Sequence, residues 1–303
     1  MKPTNSDGQP LRVALLVNTH SRKGRLLYKH AKALFEARGY HFVRAIALAD
    51  PTALPDAMAN IMKLAPELVI IGGGDGTIST ASNYLAYTST ILGYLPLGTT
   101  NNFGRGLGLK PRLREAVDAI CYGSVTAVDL GKIGATYFTN MASFGVSVSV
   151  ATDTPRHLKR LFGRIIYAWY AALCTLRHKV MTVKIMTDTG GRHTFETHQF
   201  CVANGITHSG IPIAADASVA DHKLIAYALG GRNQLSTLFA TLRHGVTYRR
   251  KMADKDLLVS SEFSVTFTPP QQVDIDGEVR GEAVPTHVVT IAPSALKVIV
   301  PKK

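Results

Sequence analysis

Hydrophobic positions fall along this chain in two textures. Up to about Gly123 they come as short unbroken runs separated by helical stripes; beyond it they alternate. "LRVALLVN" (Leu11 to Asn18), "LVII" after Glu67 and "ILGYLPL" after Thr90 are continuous apolar runs bounded by turn residues. Such runs mark strands buried on both faces, as in a parallel sheet. Between them, Leu27, Ala31 and Leu34 share a helix face that stops at Gly39, and Leu54, Met58, Ile61, Met62 and Ala65 form a second stripe. Two more helices are expected, one opened by Thr77 ("TISTASNYLAY") and one over "RLREAVDAICYG". Strands alternating with helices predict a parallel sheet covered by helices.

The second texture reads as antiparallel sheet. "AVDLGKIGATYFTNMAS" predicts a hairpin turning at Gly134-Ala135, and "VSVSV" (Val146 to Val150) alternates with period two and predicts a strand. "VMTVKIMTDTGGRHTFETHQFCVAN" predicts two strands around Gly190-Gly191, and strands continue through "FSVTFTPPQQVDIDGEVRGE" and "HVVTIAPSALKVIVP" to the end. The expected fold is therefore an α/β N-terminal lobe plus a mostly antiparallel, β-rich C-terminal lobe. The boundary lies near Val125–Leu130: residues 1–129 form the first lobe, 130–291 the second, and about 292–303 are a candidate return to the first. The cleft between two such lobes is the expected place for an active site.

Composition narrows the chemistry. A chain of 303 residues with 46% hydrophobic positions buries a large core, and two lobes suit its length. The first ten residues are polar and lack a signal peptide's apolar core, and no uncharged apolar run reaches the roughly 18–20 residues that span a bilayer. The expectation is a cytoplasmic protein. Three cysteines without a CxxC and eleven histidines without HExxH give no zinc motif. The net charge of +13 favours anionic partners: nucleic acid, phosphate-bearing ligands or an anionic membrane surface.

Part of that charge sits on two amphipathic segments. "PRHLKRLFGRIIYAWYAALCTLRHK" carries Leu158, Leu161, Phe162, Ile165 and Trp169 on a helical stripe, with Arg156, Lys159, Arg160, Arg164, Arg177 and Lys179 and no acid. Arg232 to Lys251 repeats the pattern around Leu235, Leu238, Phe239 and Leu242. Apolar stripes of this kind usually pack on a core. Acid-free basic flanks also fit reversible docking on anionic lipid, at about 1 kcal/mol per Lys or Arg.

The densest chemistry is "GGGDGT" (Gly72 to Thr77), following the strand "LVII". It is neither a Walker A motif nor the dinucleotide fingerprint, since Thr77 stands where the third glycine belongs. Four glycines let backbone N–H groups approach an anion, and a helix N-terminus behind them points the same way. Asp75 beside phosphate makes sense with a divalent cation between them, which suggests nucleotide plus Mg²⁺. A purely structural turn is the alternative.

"YLPLGTTNNFGRGLGL" (Tyr94 to Leu109) supplies a second strand ending in a glycine- and amide-rich loop. Together with "GGGDGT" it resembles the diacylglycerol kinase catalytic-domain family, with its PLGT-x-N-D-F-A-R, and within it the soluble bacterial YegS-like lipid kinases. The resemblance extends through "VDLGKIGATYFTNMASFG", "TPRHLKRLFGRIIYAW", "NGITHSGIPIAADASVADHKL" and "VDIDGE". It implies ATP-dependent, Mg²⁺-dependent phosphorylation of a primary hydroxyl on a diacylglycerol-like lipid at an anionic membrane surface. Carried over by motif, Gly72, Gly73, Gly74, Asp75, Gly76 and Thr77 would hold ATP phosphates, with Thr99 and Asn101 completing the pocket. Asp276 would be the general base. Asp75, Asp129 and Glu278 would hold a Mg²⁺–water network, and Asp221 a second, structural Mg²⁺ with Ser218 and Lys223.

This chain departs from the pattern at Asn102, where the family has a carboxylate, at Ser79-Thr80, at Ala215 and at His222, where the family has glycine. Ceramide or another sphingoid lipid is an alternative acceptor. NAD kinase shares a GGDGT loop, and a sensor built on a weakened kinase site is the non-enzymatic alternative. Nucleic acid is not expected as a partner, because no RNP pattern or helix-turn-helix signal accompanies the charge. The sequence leaves the oligomeric state open.

Overall fold

The computed structural model describes residues 10–20, 23–153, 173–204, 207–208, 211–212, 220–229 and 257–302. The chain divides into two compact units: one runs to Leu130 and takes up Ser218–Ala220 and the C-terminal segment from Ala292, and the other comprises Gly131–Ala217 and Asp221–Ile291.

In the first unit the elements follow in the order β1 (Val13–Asn18), α1 (Gly24–Glu36), β2 (Phe42–Leu48), α2 (Leu54–Met62), β3 (Leu68–Gly73), α3 (Asp75–Leu85), β4 (Ile91–Pro96), α4 (Asn102–Gly106) and α5 (Leu113–Tyr122). The parallel sheet runs β2-β1-β3-β4, and Val298 of the C-terminal strand continues it in register with Leu92. Val13 to Val17 and Val69 to Ile71 are wholly inaccessible, which is why these strands are apolar at every position. One sheet face packs Leu15, Ile70 and Leu95 against Phe35 of α1 and Val117 and Ile120 of α5. β2 departs from the expected pattern, since the sequence reading places no strand there. It is an edge strand in which only Leu48 is fully buried, and Arg44 stands exposed at its centre, so it carries no unbroken apolar run.

The second unit begins within β5 (Ser124–Ile133), which turns through Gly134-Ala135 into β6 (Thr136–Phe138) as expected. β7 (Met141–Gly145) follows, then α6 (Val146–Asp153), β8 (Met181–Thr187), β9 (Arg192–Thr197) and β10 (Gln199–Asn204). Next come the short ladder of β11 (Thr207–His208) with β12 (Ile211–Pro212), then β13 (Leu224–Leu229), β14 (Leu258–Ser260), β15 (Glu262–Ile275) and β16 (Glu278–Val300). Antiparallel pairing gives the order β14-β13-β10-β7-β15-β16, with the β8–β9 hairpin on β15. Phe144, Phe200, Phe263 and Phe267 fill its core, Phe144 and Phe267 with ring centroids 4.5 Å apart.

The expected strand over Val146–Val150 is a helix, α6. Its valines are buried, and its first amides are satisfied from far along the chain: Val146 N–H donates to the His198 carbonyl (3.0 Å) and Ser147 N–H to Gln199 Oε1 (2.8 Å). Gly145, at φ 93°, turns the chain into it, and a Cβ there would lie 2.2 Å from the His198 oxygen. Local alternation was overruled by a distant cap.

Asp188, in the turn of the β8–β9 hairpin, clips that turn to the β14–β15 corner. Its carboxylate accepts from the Ser261 hydroxyl, the Ser260 hydroxyl (2.7 Å) and the Ser261 N–H (3.1 Å). These donors, the Ser261 hydroxyl foremost, push its pKa down to about 2. The clip therefore stabilises the fold fully above the ordinary carboxylate range and is lost as pH falls from about 4 through about 2. In urea titrations, the midpoint difference between wild type and Asp188→Asn is expected to be constant from pH 7 to 5 and to shrink below pH 4. A difference independent of pH would refute the clip.

Candidate functional site

The carboxyl ends of β1, β3 and β4 converge on one edge of the first unit's parallel sheet, where ligands of open α/β sheets bind. β3 ends in Gly72-Gly73, and α3 opens at Asp75 rather than at Thr77, with Gly74 as an N-cap that offers no side-chain cap. The first amides of α3 thus have no side-chain cap, and Thr77 N–H turns back to the Gly74 carbonyl (3.0 Å). α1 starts in the same manner beside the end of β1. Its N-cap is Lys23, its first turn holds no acid, and no side chain caps it. Cations at the positive end of a helix dipole are unfavourable unless an anion joins them.

The glycines of this loop have different reasons to be glycine. A Cβ on Gly72 would crowd Val17 and Leu97 at 3.0–3.1 Å, and one on Gly73 would meet the Thr77 side chain at 2.6–2.8 Å. A Cβ on Gly98 would lie 2.5 Å from the Cα of Gly74, so the two glycine loops pack backbone on backbone. Gly76 differs. It is exposed in the first turn of α3, and a Cβ there would meet nothing within 4 Å.

Side chains hold the second loop in place. Asn101, buried and left-handed at φ 47°, accepts from Gly98 N–H (2.9 Å) and the Tyr94 hydroxyl (3.2 Å) and donates to the carbonyls of Gly98 (2.8 Å) and Pro96 (3.3 Å). Its amide is thus committed within the loop. Burial, reinforced by Asp75, raises the pKa of the Tyr94 phenol well above its ordinary value, so it serves as a neutral donor. Asp75 accepts from the Thr100 hydroxyl (2.8 Å) and from Phe103 N–H at the start of α4 (3.2 Å), one donor on each oxygen. Acceptor capacity therefore remains on both oxygens. Thr99 is exposed beside them. Asn102, where the resemblance implies a carboxylate, has a buried Oδ1 with no hydrogen-bond partner.

Several of these groups escaped the sequence reading. Asn18 ends β1 and donates to the Thr77 hydroxyl (3.2 Å), tying the first strand to the start of α3. Thr19 is buried with an unpartnered hydroxyl. Thr100 and the Phe103 amide fix Asp75. A polar residue at the carboxyl end of a predicted parallel strand was the available signal for Asn18.

Asp129 is buried in β5 and accepts from Ser294 N–H (2.7 Å). The remaining expected residues within the described range belong to the second unit. Asp276 and Gly277 form the two-residue turn between Ile275 of β15 and Glu278 of β16, with φ of 51° and 93°, as a type I′ turn requires. The Asp276 carboxylate is gripped by the β6–β7 connection. Oδ2 accepts from Thr139 N–H (2.8 Å) and the Thr139 hydroxyl (3.0 Å); Oδ1 accepts from the N–H groups of Asn140 (3.0 Å) and Met141 (2.9 Å). Glu278 is exposed and pairs with Arg280 at 2.9 Å. Asp221 accepts from Lys223 N–H (3.1 Å) across His222, which sits at φ 58° where the family pattern has glycine. Ser218, residues 154–172 of the first basic segment and the whole of the second lie outside the described residues. Arg177 and Lys179 are exposed.

The first unit's loop edge fits a nucleotide's phosphates: two uncapped helix starts, an open Gly76 and a carboxylate with spare acceptor sites. Among the described residues no three His, Cys, Asp or Glu side chains gather into a metal cage. No helix among the described residues is long and apolar enough to cross a membrane.

Comparison with known proteins bears on this arrangement. Residues 12–133 match the family model of the diacylglycerol kinase catalytic domain. A diacylglycerol kinase of Staphylococcus saprophyticus is 28% identical over 291 residues, covering 90% of each chain. Among solved structures, a diacylglycerol kinase of Bacillus anthracis superposes with a TM-score of 0.74 at 21% identity, over 95% of this chain and 96% of that one. An NAD kinase of Archaeoglobus fulgidus in complex with ATP gives a TM-score of 0.52 at 12% identity, over 97% and 95%. The two structural likenesses establish the shared fold.

Proposed function

We propose, for a chain whose residues 12–133 match the family model of the diacylglycerol kinase catalytic domain, that it transfers a phosphoryl group from ATP to a hydroxyl of a diacylglycerol-like lipid. The observation that carries this reading is the pairing of an open Gly76 with a Gly74–Gly98 contact that holds two strand-end loops together. Three of the neighbouring glycines are explained by contacts within the fold. Gly76 keeps space for something outside it, at the start of a helix whose amides attract phosphate.

Phosphoryl transfer asks the protein chiefly to position and to neutralise charge. The amides at the start of α3, and Lys23 with the start of α1, would hold phosphate oxygens. Asp75 would hold Mg²⁺ through water, with Asp129 and Glu278 as further candidates; when bound, the ion neutralises charge on the phosphates. Asn102 offers a neutral oxygen where the family has a carboxylate, so the chain supplies one negative charge fewer. Asp276 would receive the acceptor's proton, which leaves late in a loose transition state. The acid-free basic segments, with the net charge of +13, would hold the protein reversibly at an anionic membrane face.

The test is transfer of label from ATP with Mg²⁺ to diacylglycerol, monoacylglycerol, ceramide, sphingosine and phosphatidylglycerol in mixed micelles, with NAD as soluble control. Label is expected in diacylglycerol or a close analogue. Label in ceramide or sphingosine alone would reassign the acceptor, and label in NAD alone would overturn the lipid reading.

A further inference from the structure

The grip on Asp276 is fuller than a general base needs. A carboxylate oxygen offers two in-plane acceptor positions, and each Asp276 oxygen already accepts two hydrogen bonds from the β6–β7 connection. An acceptor alcohol must therefore displace one of these donors before its own hydroxyl can bond the carboxylate. Three of the four are backbone N–H groups of Thr139, Asn140 and Met141, fixed by a segment that also accepts Asp276 N–H (3.0 Å) at the Met141 carbonyl and Asn204 N–H (2.7 Å) at the Asn140 carbonyl. Of these four donors, only the Thr139 hydroxyl can leave by rotation of one side-chain bond.

We infer that the Thr139 hydroxyl is a placeholder for the acceptor alcohol: it occupies the position on Asp276 Oδ2 that the alcohol takes when it binds. The two groups are chemically alike, each an sp³ O–H donor to the same carboxylate oxygen. Thr139 is buried, while Asp276 is partly accessible, so the carboxylate can be reached from outside. The placeholder is itself held: Asn140 Nδ2 donates to Thr139 Oγ1 (3.0 Å), and Asn204 Nδ2 lies against the Thr139 carbonyl (3.4 Å). The hydroxyl thus keeps Asp276 satisfied between turnovers at the cost of competing with substrate. Thr139 is a positioning residue, and its role rests on the reading of Asp276 as the base.

The competition is measurable. Removing the hydroxyl leaves a carboxylate position open to the incoming alcohol, so Thr139→Val is expected to lower the lipid acceptor's KM about three- to tenfold, with kcat within about twofold. Thr139→Ser keeps the hydroxyl and is expected to match wild type in both parameters. Thermal melting checks that each variant folds, and Thr139→Ala removes the same hydroxyl if the valine variant does not. A fall in kcat with unchanged KM in the valine or alanine variant would overturn the placeholder and leave Thr139 a structural brace. So would a serine variant that behaves like valine. If wild type transfers phosphate to no lipid in the panel while still binding ATP, the kinase reading fails, and the placeholder falls with it.

Discussion

Asp276→Asn is expected to lower phosphoryl transfer to the lipid about 10²–10⁴-fold while leaving nucleotide affinity unchanged. The substitution isolates charge from backbone. Asp276 and Gly277 occupy a turn with positive φ at both positions, and Asn-Gly serves such a turn as well as Asp-Gly. The hairpin between β15 and β16 is therefore kept. Inside the grip, the amide oxygen belongs on the Asn140 and Met141 N–H groups, which are fixed donors. The amide nitrogen then faces Thr139, whose hydroxyl can rotate to accept from it, leaving the Thr139 N–H without its acceptor. Losing that bond costs about 1–3 kcal/mol of stability, a measurable but tolerable lowering of the melting temperature. Transfer within tenfold of wild type would show that Asp276 is a turn lock and that the proton leaves elsewhere.

The same residue shows where sequence reading succeeds and where it stops. The three inner strands of the first unit were legible because burial on both faces writes itself as an unbroken apolar run. The hairpin at Gly134-Ala135 was legible because turn chemistry is local. β2 was not, since an edge strand exposed on much of its length lacks that run. α6 was not, because the groups that cap it, His198 and Gln199, lie some fifty residues away. The candidate site divides in the same way. Residue types and motif order pointed to Asp75, Asp129 and Asp276. The partners that fix them, Thr100 with the Phe103 amide, Ser294, and Thr139 to Met141, are tertiary. Asn101 illustrates the converse: a residue expected to touch nucleotide commits its amide to shaping the loop beneath it.

Two glycines four residues or fewer from Asn101 and Asp75 give the sharpest contrast in the first unit, because one is needed by the fold and the other is not. Gly98→Ala is expected to cost about 3 kcal/mol, the upper end of ordinary overpacking. The added Cβ would lie 2.5 Å from the Gly74 Cα and 2.8 Å from Asn101 Oδ1, and the first neighbour is backbone that cannot swing aside. A loss of that size lowers the melting temperature by roughly 5 °C in a chain of 303 residues. It should also part the two loops and abolish ATP binding. Gly76→Ala meets no atom within 4 Å and replaces a poor helix former by the best one. Melting is expected to hold or rise slightly, while ATP affinity falls at least about tenfold, because a methyl group then stands where phosphate approaches the amides of α3. Calorimetric titration of ATP with Mg²⁺ into both variants, beside their melting curves, separates the cases. Full ATP affinity in Gly76→Ala would move the phosphates away from the start of α3. Loss of stability without loss of affinity in Gly98→Ala would mean that the loops need not touch for the nucleotide to bind.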